Sequence, residues 1–191
     1  TVFQDKLNHA SLIDAGMSSG AKQYRYKHNN LVHFERLLKK RQEEESALGR
    51  ENSRQLLAVD GVFSMDGDIA PLDQLAKIAA KNDLALMVDD AHGFGVLGRY
   101  GGGVSEHFEL NQCQLPILIG TFGKAMGVAG AFVAGNEALI ETIIQHAKTY
   151  IYTTALPAAC AAAVNKALEV SQNEPQRRDH LQFLVKYFSE Q

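Results

Sequence analysis

A chain of 191 residues with 46% hydrophobic composition can bury a sizeable core, which excludes a disordered or merely charged linker. Its 19 basic residues against 22 acidic ones leave a net charge of −3 and a pI near 6.1, so it lacks the basic footprint of a nucleic-acid binder. No apolar run approaches the ~20 residues that cross a bilayer, and Cys113 and Cys160 lack any CxxC spacing, which suits a reducing, cytoplasmic setting. Thr1 stands where an initiating Met would, with no signal-like stretch after it, so the chain reads as one domain, residues 1–191, of something longer.

The first predicted element is a helix over Leu31–Glu45, with Leu31, Phe34, Leu37 and Leu38 as its apolar stripe and the run Lys39–Glu45 as a solvated face. From about Gln55, short apolar runs alternate with helical patterns, the signature of βαβ units and a mostly parallel sheet. Strands are predicted at Leu56–Val59, Leu84–Val88, Pro116–Ile119 and Ala131–Ala134. Pro71 opens a crossover helix carrying Leu72, Leu75, Ile78 and Ala79. Helices follow over Glu137–Lys148, over the Ala-rich and hence closely packed Ala158–Val170, and over Arg177–Glu190, whose stripe of Leu181, Leu184, Val185 and Phe188 needs a partner surface.

Ligands of open parallel sheets gather beyond the carboxyl ends of the strands. There the sequence places Asp60-Gly61-Val62-Phe63-Ser64, Asp89-Asp90-Ala91-His92-Gly93 and Gly120-Thr121-Phe122-Gly123-Lys124. Asp60 and Asp89 lie 29 residues apart and Asp89 and Lys124 lie 35 apart, each about one βαβ unit, so a carboxylate, a histidine and a lysine are expected at one sheet edge. Gly120, Gly123, Ala125 and Gly127 leave little bulk around Lys124, and a flat ligand could bond to its amine. The set fits pyridoxal 5'-phosphate (PLP), with Lys124 as Schiff base and Asp89 as partner of the pyridinium nitrogen.

Competing chemistries fit less well. A P-loop requires G-x-x-x-x-G-K-[ST], whereas Leu118 stands five residues before Gly123 and Ala125 follows Lys124. A metal is not expected, because the seven histidines are scattered, His28 and His33 are poorly spaced for one helical face, and the cysteines are 47 residues apart. Gly101-Gly102-Gly103 reads as a flexible turn. Taken singly, His9 and His92 read more readily as ordinary hydrogen-bonded histidines than as catalytic groups.

The segments Asn8-His9-Ala10-Ser11-Leu12, Val62-Phe63-Ser64-Met65-Asp66-Gly67-Asp68, Val88-Asp89-Asp90-Ala91-His92-Gly93 and Gly120-Thr121-Phe122-Gly123-Lys124-Ala125-Met126-Gly127 resemble, in order and spacing, the α-oxoamine synthase family of PLP enzymes. The resemblance covers Asp5 to Pro157. It implies a three-layer α/β sandwich with a mostly parallel central sheet, the large domain of the aspartate-aminotransferase-like PLP-dependent transferases. It implies that Lys124 bonds covalently to the cofactor, that Asp89 holds the ring nitrogen, that His92 donates to the phenolic oxygen and that His9 stacks on the ring. Ser64 becomes a contact beside the ring and Thr121 a phosphate ligand. Thr153 and Thr154 reach the cofactor of a neighbouring subunit in a homodimer with shared active sites.

The implied reaction is a decarboxylating condensation of an amino acid with an acyl-CoA thioester. The motif set is most similar to the biotin-pathway branch, which joins L-alanine to a pimeloyl thioester of CoA or acyl carrier protein. Asp60-Gly61 also occurs in the branch that uses glycine and acetyl-CoA. A member that keeps the fold but binds no cofactor is the third alternative, and the intact Lys124 weighs against it. Family chains extend upstream into a glycine-rich phosphate-binding segment and downstream into a small domain with a carboxylate-binding arginine, so the 191 residues alone are expected to be weakly active or inactive.

Overall fold

The computed structural model describes residues 1–49 and 53–190. They form two compact units, the first comprising Thr1–Asp89 with Asn111–Leu118, the second comprising Asp90–Leu110 and the chain from Ile119 onward.

In the first unit, β1 (Val2–Asp5), β2 (Gln23–Tyr26), β3 (Leu56–Asp60) and β4 (Ala85–Asp89) lie side by side in the order β2-β1-β3-β4. Every pairing among them is parallel, with Phe3 opposite Tyr24 and Leu57, and Asp60 opposite Asp89. Such pairs need crossovers. These are α1 (Ala10–Ser18), α2 (Leu31–Ala47) and α3 (Leu72–Lys81).

Alternation along β1 assigns the two faces of the sheet. Phe3 sits 5.3 Å from the ring of Tyr24 and 5.6 Å from that of Phe34 on α2, and Phe34 lies 5.1 Å from Tyr26. Gln4, on the opposite face, donates to the Leu12 carbonyl of α1 at 3.1 Å. Helices thus cover both faces of the first unit's sheet, the layered α/β architecture that the alternating pattern predicted. Gly16 is the residue of α1 that permits this approach, since a Cβ there would stand 2.1 Å from Gln4 Nε2. On α3, Leu72, Leu75, Ala76 and Ala79 are buried, close to the predicted stripe.

The charged run of α2 departs from the expectation of a solvated face. Arg41 and Glu45 are buried and ion-paired, and Arg41 Nε donates to Thr1 Oγ1 at 2.6 Å. They continue the Phe34–Leu38 stripe at three- and four-residue steps, so helical geometry turns them inward.

The second unit carries α4 (Gly103–His107), the end of β5 (Ile117–Thr121), β6 (Ala131–Ala134), α5 (Glu137–His146), α6 (Lys148–Ile151), α7 (Ala158–Asn173) and α8 (Gln176–Ser189). Strands β5 and β6 are neighbours joined only by residues 122–130, too short a link for a parallel crossover, so β6 turns back along β5. Gly120 makes room for the Phe132 ring, which a Cβ would meet at 2.4 Å. The predicted helix over Glu137–Lys148 breaks at Ala147, whose extended ψ of 100° separates α5 from α6. Close packing of the Ala-rich helix is not observed, because α7 buries only Val164. The stripe on α8 stays exposed, with Phe188 at 77%. The triple glycine is an ordered turn: Gly101 and Gly103 have φ of 80° and 74°, and Gly103 donates to the Leu97 carbonyl at 3.0 Å.

The aromatic cluster of Phe3, Tyr24, Tyr26 and Phe34 anchors α2 to the sheet. Phe34→Ala should therefore cost about 3–5 kcal/mol of stability, read from the urea-denaturation midpoint. A loss below ~1 kcal/mol would show that the cluster is not the anchor.

Candidate active site

At the carboxyl edge of the first unit's sheet, Asn8 extends β1 by means of its side chain. Its amide donates to the Ala58 carbonyl at 2.8 Å and accepts the Asp60 N–H at 3.1 Å, imitating a strand neighbour of β3. The next residue, His9, is thereby placed at the N-cap of α1. Its backbone N–H donates to Asp60 Oδ2 at 2.9 Å, and its Nδ1 lies 2.7 Å from Ser11 Oγ and accepts the Ser11 N–H at 3.3 Å. The exposed imidazole is fixed through this capping arrangement.

Asp60 is 4% exposed, and its Oδ1 has no hydrogen-bond partner. Burial pushes its pKa up to about 6, against the His9 N–H, which lowers it, and with the Asp89 carboxylate, which raises it further. Asp89, opposite Asp60 on β4, is half-buried, and its carbonyl accepts the Gly61 N–H at 2.8 Å. Ser64 lies on the exposed turn of the 61–70 loop, which is closed by Phe63 N–H donating to the Asp68 carbonyl at 2.9 Å and by the Val62–Ile69 bridge.

In the second unit, Lys124 Nζ lies 2.8 Å from His92 Nε2. Lys124 is exposed, and the glycines near it are uncrowded, since a Cβ on Gly127 would meet nothing within 4 Å and one on Gly123 would come no closer than 3.4 Å to Thr121 Oγ1. The Thr121 hydroxyl donates to the Gly130 carbonyl and accepts the Gly123 N–H, both at 3.1 Å, so a phosphate ligand there must share its single proton with Gly130. Thr153 and Thr154 are exposed after α6, with the Thr153 hydroxyl turned back to the Thr149 carbonyl.

Asp90, next to Asp89, has a different task. It is fully buried and its Oδ2 accepts the Val104 N–H at 2.9 Å, holding the start of α4. A Cβ on Gly103 would stand 1.8 Å from that oxygen, so the glycine is required by the contact as well as by its φ. The adjacent aspartates look alike in sequence. Only Asp90 is seen to hold the start of α4.

An exposed lysine amine beside an imidazole fits a flat aldehyde cofactor. The class I and II aminotransferase family model matches residues 1–191. The chain belongs to that family. Its relatives include the 8-amino-7-oxononanoate synthases of Hahella chejuensis, 54% identical over 98% of this chain and 45% of that protein, and of Thioalkalivibrio sulfidiphilus, 55% identical over 98% and 46%. The chain thus spans about half the length of the curated relatives it matches. Among solved structures, it superposes on the 8-amino-7-oxononanoate synthase of Francisella tularensis with a TM-score of 0.80, at 37% identity over 99% of this chain and 52% of that one. A serine palmitoyltransferase from S. paucimobilis with PLP and myriocin bound gives 0.81 at 30% identity, covering 95% and 43%. The resemblance to α-oxoamine synthases read from the four motifs is borne out. Among the described residues, no helix is long and apolar enough to cross a membrane.

A carboxyl whose folded pKa is raised stabilises the fold only while protonated, so the Asp60 contribution is complete below the ordinary carboxylate range and is lost as pH climbs through about 6. Urea midpoints of the unmodified protein should fall from pH 5 to 7.5 more steeply than those of Asp60→Asn. Identical slopes would sink the assignment.

Proposed function

We propose that this chain forms the cofactor-binding part of a PLP-dependent acyltransferase that condenses L-alanine with pimeloyl-CoA, or with the pimeloyl thioester of acyl carrier protein, to give 8-amino-7-oxononanoate, CO₂ and the free thiol for biotin biosynthesis. The observation that carries the reading is the open Lys124 amine 2.8 Å from His92. Identity of 54% to a synthase of that name supports the choice of branch.

When bound, the cofactor supplies an electron sink that stabilises negative charge at the amino acid's α-carbon. Lys124 Nζ is the covalent attachment point. The same amine would serve as general base for the α-proton, because it would stand beside the carbon that must lose it. His92 holds the phenolic oxygen, and Asp89 keeps a proton on the ring nitrogen, the role for which a strand-end carboxylate is suited. His9 would stack on the ring face, Ser64 would sit beside it and Thr121 would contact the phosphate. The active form is a cytoplasmic homodimer in which Thr153 and Thr154 contribute to the partner's site.

Glycine with acetyl-CoA is the second reading, favoured by Asp60 preceding Gly61. Product identification in the full-length enzyme, with L-alanine or glycine and with pimeloyl-CoA or acetyl-CoA, separates the two. Only the alanine–pimeloyl pair should give an amino ketone at an appreciable rate, and preferential turnover of glycine with acetyl-CoA would reassign the enzyme. Mixing the protein with PLP should produce a visible absorption band that borohydride fixes onto Lys124. Lys124→Ala should lose the band and the label, and turnover should fall by at least ~10³-fold. A properly folded full-length dimer that develops no band would overturn the cofactor assignment.

A further inference from the structure

The turn that leads to His9 and the loop that carries Ser64 are tied together by His28, considered above only as a metal ligand. It lies between β2 and α2, with both ring nitrogens facing carboxylates: Nδ1 is 3.0 Å from Asp5 Oδ1 and Nε2 is 2.7 Å from Asp68 Oδ2. Asn29, in the left-handed region at φ 47°, reinforces both ends. Its N–H donates to Asp5 Oδ2 at 2.8 Å and its side-chain amide to Asp68 Oδ2 at 2.6 Å. The His28 ring also meets the Phe63 ring edge to face, at 4.4 Å between centroids.

Each carboxylate belongs to a segment that positions a proposed cofactor contact. Asp5 ends β1 with a wholly buried side chain, and its Oδ1 also accepts the Leu7 N–H at 2.9 Å, shaping the turn into Asn8 and His9. Asp68 and Phe63 close the loop on which Ser64 sits. A neutral imidazole has a single N–H and can donate to only one carboxylate, whereas the imidazolium donates to both.

We infer that His28 is a positioning residue that, as an imidazolium, clasps the Asp5–His9 turn to the 61–70 loop and so holds His9 and Ser64 in register. The inference rests on the cofactor roles proposed for those two residues. Burial works against the charge on His28, but its hydrogen bonds to Asp5 and Asp68 outweigh that and hold its pKa above the ordinary imidazole value. Two further titratable groups couple to this cluster through Asp5: the Tyr26 hydroxyl on β2, whose pKa is pushed up by burial and by Asp5, and the Asp60 carboxyl on β3, whose raised pKa Asp5 raises further. The clasp is therefore complete below the usual histidine range, about 6.5, and loosens as pH rises through the elevated pKa.

Hydrogen–deuterium exchange on the full chain, corrected for intrinsic rates, tests this without cofactor. Loss of charge-assisted bonds in His28→Gln should speed exchange by about tenfold or more in residues 5–9 and 62–69 at pH 6, with α3 unaffected. The unmodified protein should converge on the variant as pH rises. Unchanged protection of both segments, or uniform loosening of the chain, would overturn the clasp. Asp68→Asn keeps an accepting oxygen but removes its charge, so the His28 imidazole, followed by NMR, should titrate at lower pH; an unaltered titration would likewise overturn it. Weaker PLP binding by His28→Gln supports the full inference. Loosened segments with unchanged PLP affinity would uphold the clasp and sink the cofactor roles of His9 and Ser64.

Discussion

Parallel pairing makes every strand of the first unit end at the same edge, and three of these strands end in aspartate. Asp5, Asp60 and Asp89 are delivered there by β1, β3 and β4, with Asp60 directly opposite Asp89. Buried like charges are expensive unless each is paired, bonded or protonated. The first unit uses a different solution for each carboxylate whose contacts are described. Asp5 is saturated by His28, Asn29 and Leu7. Asp60 takes a single N–H from His9 and answers the shortfall with a pKa raised to about 6.

The same edge depends on side chains that do the work of backbone. Asn8 substitutes for a strand neighbour where β1 has ended, and His9 caps the helix that follows. Backbone polar groups at a strand end must find partners somewhere. Finding them in Asn8 and Asp60 also fixes the direction in which the chain leaves the sheet. In the second unit the economy is steric: Gly120 yields to Phe132 and Gly103 to Asp90, while the Lys124–His92 pair is exposed.

Much of this was legible along the chain. Strands β3, β4, β5 and β6 fall within one or two residues of their apolar runs, and α3 and α5 start where Pro71 and Glu137 indicate. The first two strands were not legible. Val2–Asp5 and Gln23–Tyr26 are four residues each and include Gln4, Asp5, Gln23 and Arg25, so no continuous apolar run marks them. Helix α1 was hidden by Gly16, a poor helix former retained because it admits the Gln4 amide. Arg41 and Glu45 read as solvated because charge is normally outside, and only their mutual pairing makes their burial tolerable.

What the sequence by itself determined was the order and type of the principal elements and the identity of the chemical groups at the strand ends. Hydrophobic periodicity is a local property, and four motifs in family order carry the aspartate, histidine and lysine wherever the chain folds. Only the tertiary structure decided which of two adjacent aspartates is spent on holding α4, which carboxylate keeps its proton near pH 6, and that His28 joins two distant segments. Those outcomes depend on burial and on partners up to 51 residues away in the chain, distances over which no local pattern carries information.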